Sequence, residues 1–206
     1  MLQITYPSTK TVPATGILMV RGAITTAGRS VEHIQYLTDK YVLTLMGRAA
    51  ILHSVELGGR FVVDQSSSHL RRIDLSAESV QIGHLRELVG TVSVHRDPEE
   101  VSAGGYLCRR YRLCNDSTRI VVAAEALCTR LDAAGRTALH EERAFEARLH
   151  PFALPLERDE VVVSSTTRTY TNGFQHTQSY QLTSVVEGVE SLGAFEAYLN
   201  FPVVEE

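Results

Sequence analysis

The chain has 206 residues, 20 basic and 24 acidic side chains and a formal charge of −4. That length suits one domain or two small ones, and 44% hydrophobic with 21% charged residues is ordinary for a globular chain, so extensive disorder is excluded. The charge balance gives no basic footprint, which argues against a nucleic-acid partner. Only Lys10 and Lys40 are lysine, and the other basic residues are arginine.

In chain order, the first apolar run is Ile17–Ile24, interrupted by Gly22 and followed by a turn at Gly28-Arg29. His33–Thr38 alternates polar with apolar, the period of a half-buried strand. Tyr41–Met46, Ala50–Val55, Arg60–Asp64, His69–Asp74 and Ser79–Ile82 follow about every ten residues, with Gly58-Gly59 and Gln65–Ser68 as turns. This spacing predicts an antiparallel meander in which each strand pairs with the next. His95–Glu100 reads as a polar loop, then Tyr106–Cys114 and Arg119–Ala124 as a further hairpin broken at Asn115-Asp116-Ser117.

Leu131–His150 is rich in Ala, Leu, Glu and Arg and is the helix candidate, best defined over about 137–150 and stopped by Pro151. The strands then return over about 161–186, where Asn172-Gly173 separates two β-rich runs and predicts a type I′ hairpin. Leu192–Leu199 fits a last short helix. The expected fold is mainly β (α+β), one domain over residues 1–206: an antiparallel, strongly curved sheet or unclosed barrel wrapping one main helix.

No apolar run approaches the ~20 residues of a membrane-spanning helix. The start of the chain has neither a charged nor an apolar leader segment, so the chain is expected to be cytoplasmic as written, or periplasmic or secreted if an export signal was removed. Cys108, Cys114 and Cys128 lack zinc spacing, and their odd number argues against a complete disulfide framework; buried free thiols, or one pair and a free thiol, are the options. Asn115-Asp116-Ser117 has the form of a glycosylation sequon.

The sequence displays no catalytic signature. His140-Glu141 begins like a zinc-protease helix, but Ala144 stands where the second His is required. There is no nucleophile elbow and no Gly-rich phosphate loop, and the eight His are scattered singly. Asp64 and Asp74 fit either a carboxylate pair or simple turn chemistry. No catalytic residue, metal or cofactor is therefore assigned. On the strand Tyr106–Cys114, Arg110 and Arg112 share one face; they either grip an anionic head group or pair with acids on a neighbouring strand.

The order of elements, a long antiparallel meander, a helix and a closing hairpin, resembles the half-barrel of the LolA and LolB lipoprotein-localisation proteins and their uncharacterised secreted relatives. Gly59–Asp64 followed by Leu70–Asp74 resembles that family's paired strands ending in Asp, and Gly105–Tyr111 resembles a G-x-x-C-x-x-Y strand of the relatives. The relatives usually carry a Trp on the following strand, and this chain has no Trp. The resemblance implies a concave apolar face that holds an acyl chain or similar ligand, with Leu43, Leu45, Ile51, Phe61, Val63, Phe145 and Leu149 as lining residues; each also fits plain core. Two functions follow as expectations: a non-catalytic carrier of a lipid-like ligand, or a protein-interaction or homo-oligomeric module without a small ligand.

Overall fold

The computed structural model describes residues 17–73, 83–130, 137–157 and 160–204. The chain is mainly β. Among the described residues twelve strands form one sheet: β1 (Ile17–Thr26), β2 (Arg29–Leu37), β3 (Tyr41–Met46), β4 (Ala49–Ser54), β5 (Gly59–Asp64), β6 (His69–Arg72), β7 (Val92–Ala103), β8 (Tyr106–Asn115), β9 (Ile120–Arg130), β10 (Glu160–Thr171), β11 (Phe174–Val189) and β12 (Val203–Val204). Their order across the sheet is β12-β6-β5-β4-β3-β2-β1-β11-β10-β9-β8-β7, so two edges remain and the sheet is not closed. Every pairing is antiparallel except that of β12 with β6. The meander therefore runs in two blocks, β1–β6 and β7–β11, joined where β1 pairs with β11.

Asn172 and Gly173 both adopt positive φ, 49° and 79°, as a type I′ turn demands. The resulting hairpin is long, running in register from Thr171–Phe174 down to Ser164–Gln181.

Among the described residues three helical stretches accompany the sheet, where the sequence suggested one main helix and a short terminal one. α1 is described over 83–89, α2 is Thr137–Leu149, and a 3-10 helix spans Gly193–Asn200. In α1, Leu85, Leu88 and Val89 stand at i, i+3 and i+4, and Val89 is fully buried.

The expected polar loop at His95–Glu100 is instead the middle of β7. The register with β8 shifts between Arg96 and Glu100, the mark of a bulge, and Pro98 falls within it. The expected strand Ser79–Ile82 lies outside the described residues.

Both faces of the β1–β6 block are covered. On one face Met19, Tyr36, Leu43, Leu45, Leu52, Phe61, Val63 and Leu70 pack beneath Leu192, Phe195, Tyr198 and Phe201 of the C-terminal segment. On the other, Leu18, Val20, Leu37 and Val42 pack with Ala138 and Leu139 of α2, together with Cys108, Val163 and Leu182 of the second block. Strand alternation sets this division: Leu43 and Leu45 point one way, Val42 and Thr44 the other.

Candidate functional site

On the α2 face the registers line up three rows of side chains across the sheet. Leu18, Leu37, Val42, His53 and Arg60 form the first, which α2 covers. Val20, Gln35, Thr44, Ile51 and Val62 form the second, and Gly22, His33 and Met46 the third. Beyond the edge of α2, Val20, Gln35 and Thr44 of the second row and His33 and Met46 of the third floor a groove of about 440 Å³. Leu139, Glu142, Arg143 and Glu146 of α2 form one wall, Val161, Val162, Ser165, Thr167, Gln178 and Ser179 of β10–β11 the other, and the Tyr180 ring joins the floor.

Tyr180 shapes the floor. A Cβ on Gly22 would stand 2.5 Å from the Tyr180 ring and hydroxyl, so the absence of a side chain at Gly22 is what lets that ring lie across β1. The His33 ring meets Tyr180 edge-on, with centroids 5.5 Å apart. Burial pushes the Tyr180 hydroxyl up to about 12 and the His33 imidazole below its ordinary value, so both are neutral at pH 7. His33 Nδ1 is buried without a hydrogen-bond partner among the described residues.

Where α2 meets the first row, charge replaces apolar contact. Arg60, 7% exposed, donates to Glu146 and lies 3.9 Å from Glu142, with its guanidinium 5.7 Å from the Phe145 ring centre. Burial raises the Glu142 carboxyl, and the nearby Arg60 only partly opposes this. His53 is 4% exposed, and its Nε2 stands 3.6 Å from Glu141, outside hydrogen-bond range; burial lowers its pKa against the pull of that carboxylate. Arg143 donates to the carbonyl oxygens of Glu157, at 2.6 Å, and Glu160. The Glu157 side chain accepts from Arg130, Arg96 (2.6 Å) and Arg109 (3.2 Å), and the bonds from Arg130 and Arg96 lower it to about 2. These bonds tie the connection before β10 to β7, β8 and β9, and so position Leu156 at the groove.

The residues singled out from sequence do not form one surface. Leu43, Leu45, Phe61 and Val63 lie in the core beneath the C-terminal segment, on the opposite face from α2. Ile51 is half-buried in the second row on the α2 face. Phe145 packs from α2 against His53 and Arg60, and Leu149 is the last residue of that helix. Arg112 donates to both oxygens of Asp97 at 2.7 Å, and Arg110 stands 3.9 Å from Asp97 and 3.7 Å from Glu125. This is the pairing with neighbouring-strand acids that was one of the two options for these arginines.

The remaining motifs resolve locally. Asp64 accepts from the backbone and hydroxyl of Ser66 and the backbone of Ser67, which lowers it to about 2; this is turn chemistry, and Asp74 lies outside the described residues. Cys108, Cys114 and Cys128 are free thiols, and burial pushes Cys128 up to about 12. The Asn115 amide donates to Val89 O and Ile120 O, both at 2.6 Å, and accepts from Val122 N at 2.7 Å. The sequon asparagine is thus a junction between α1, β8 and β9. Among the described residues no group of three or more His, Cys, Asp or Glu could hold a metal, and no helix is long and apolar enough to cross a membrane.

Sequence reasoning missed the residues that line the groove. One signal was visible: a glycine inside an apolar strand run, which marks close approach of another group.

No family model matches the chain, and no curated protein matches it. Weak resemblances to solved structures include these two. The structure of PNGF-II is 8% identical with a TM-score of 0.44; the match covers 93% of this chain, which spans about a third (31%) of that protein's length. A putative outer membrane lipoprotein-sorting protein domain from Vibrio parahaemolyticus is 9% identical with a TM-score of 0.32, over 89% of this chain and 91% of that domain.

Proposed function

We propose that this chain is a non-catalytic carrier of a lipid-like, amphipathic ligand held in the groove between α2 and the sheet. The groove itself is the observation that carries the reading: α2 does not lie flush on the sheet, and the space left beside it falls within the roughly 300–1,000 Å³ typical of small-ligand sites. Its geometry supports a concave wall. Glu142 and Arg143 are neighbours on α2, yet they reach β5 and the start of β10. Those strands are six places apart in the sheet order, roughly 29 Å on a flat sheet, so the sheet bends round the helix.

The lining suits a ligand with two ends. Val20, Ile24, Met46, Leu139, Leu156 and Val161 offer apolar surface, and Gln35, Thr44, Ser165, Thr167, Gln178 and Ser179 offer neutral hydrogen-bonding groups. Native mass spectrometry after mild purification tests the reading. A co-purified acyl species released by Leu139→Arg supports it; a ligand-free, stable dimer overturns it in favour of an interaction module.

A further inference from the structure

The far end of the β10–β11 hairpin carries the most exposed large apolar side chain among the described residues, Phe174, at 80%. Two more stand beside it. Tyr170 and Val121 are cross-strand partners on β10 and β9, exposed 40% and 37%. Alternation puts Phe174 on one face of the hairpin and the Tyr170–Val121 pair on the other. The tip is therefore an apolar wedge with an aromatic ring on each side, and scattered single exposure does not describe it.

The tip also stands clear of its neighbours. β1 pairs with β11 only as far as Thr26–Gln178, so among the described residues Phe174–Thr177 has no strand on that side. Residues 161–186 contain no Asp or Glu, while Arg168 and His176 lie on this hairpin. The adjoining turns add Arg29 at the start of β2 and Arg119 just before β9. Arg29, Arg119 and Arg168 are exposed and make no ion pair among the described residues, and the nearby Asp116 is engaged by the backbone of Thr91 at 2.7 Å.

From this combination we infer that the β10–β11 tip is a contact site for an anionic lipid surface, with Phe174 and Tyr170 entering the interfacial region and Arg29, Arg119 and Arg168 facing the head groups. Aromatic rings with one apolar and one wet side favour that boundary, and unpaired arginines are attracted to negative surface potential. A protein partner would fit the apolar wedge but gives no reason for a hairpin free of Asp and Glu. The inference does not depend on the groove holding a ligand.

The chain has no native Trp, so Phe174→Trp places a single fluorescent reporter at the tip. With vesicles of equal parts phosphatidylcholine and phosphatidylglycerol, its emission is expected to shift to the blue, and the shift to reverse in high salt. Vesicle co-sedimentation of the otherwise native chain is expected to weaken roughly tenfold or more on Phe174→Ser, the worth of one buried phenylalanine. It is also expected to weaken on Arg168→Gln combined with Arg119→Gln. An unchanged emission spectrum overturns the inference. So does an equal response to pure phosphatidylcholine, or a blue shift that follows protein concentration without vesicles, which would make a second copy the occupant. A vesicle response from a chain that carries no acyl species would leave this inference standing and the carrier reading failed.

Discussion

The ring of Tyr180 lies across Gly22 so closely that a Cβ on Gly22 would sit 2.5 Å from it. The two residues belong to paired strands, and the ring forms part of the groove floor. The contact fixes both the local packing and the shape of the candidate site.

Gly22→Ala must therefore move the ring or the strand. Overpacking of this kind costs about 1–3 kcal/mol. The expected signature is coupling: Gly22→Ala lowers the denaturation midpoint in the native background and costs much less once Tyr180→Ser has removed the ring. Equal costs in both backgrounds would show that the glycine serves the backbone and not the ring.

The pH dependence of stability follows from His33, His53 and Glu142. Both imidazoles have folded pKa values below their ordinary 6.5, so the unfolded chain binds more protons in that window. Their contribution is complete above pH 6.5 and is lost as pH falls through the lowered values. Glu142 acts in the opposite sense. Its folded pKa lies above 4.5, so its contribution is complete below that value and is lost as pH rises through the raised one. Denaturant titrations at a series of pH values should show stability falling below pH 6.5, and His53→Leu with His33→Leu should flatten that limb. An unchanged acid limb in the double variant would rule out these histidines as its source.

Asn115 makes three hydrogen bonds from one amide, joining α1 to the β8–β9 turn. Asn115→Ala leaves the Val89 and Ile120 carbonyls and the Val122 amide without their side-chain partner, a loss on the order of 2 kcal/mol or more. A sugar on this amide would break the same junction. Expression through a secretory pathway should accordingly yield folded chain with an unmodified Asn115, read by intact mass. A homogeneous glycosylated and equally stable product would refute the structural role.

What the sequence made legible was local. The Asn172-Gly173 hairpin and the ten-residue strand rhythm need only neighbouring residues to be read, and both stand in the fold. The faces were not legible. Tyr41–Met46 is apolar on both sides, at Val42 and Met46 as well as Leu43 and Leu45, because one side meets α2 and the other the C-terminal segment. A period of two says nothing about which side faces the helix when both are covered. Asp97, the partner of Arg112, was hidden for a different reason: Pro98 and four charged neighbours give the signature of a loop, and a bulge in an edge strand has the same composition. Arg60 and Glu146 are distant in sequence, and no periodicity relates them.

That last pairing is open to direct test. Arg60 is the buried cation beside two carboxylates of α2, Glu142 and Glu146. Arg60→Ala takes from the buried Glu142 its partner on the sheet and leaves Glu146, which is partly exposed, to His150 at 3.2 Å; breaking a buried pair by removing one partner costs about 3–5 kcal/mol. Because Glu142 already sits in a setting that disfavours its charge, much of this loss should be recovered when Arg60→Met is combined with Glu142→Gln and Glu146→Gln, which removes the charges and keeps the volume. Urea denaturation followed by far-UV circular dichroism measures both. Recovery in the triple variant would assign the cluster to docking of α2. A triple variant as unstable as Arg60→Ala would mean that the guanidinium itself, through its contact with Phe145, holds the helix in place.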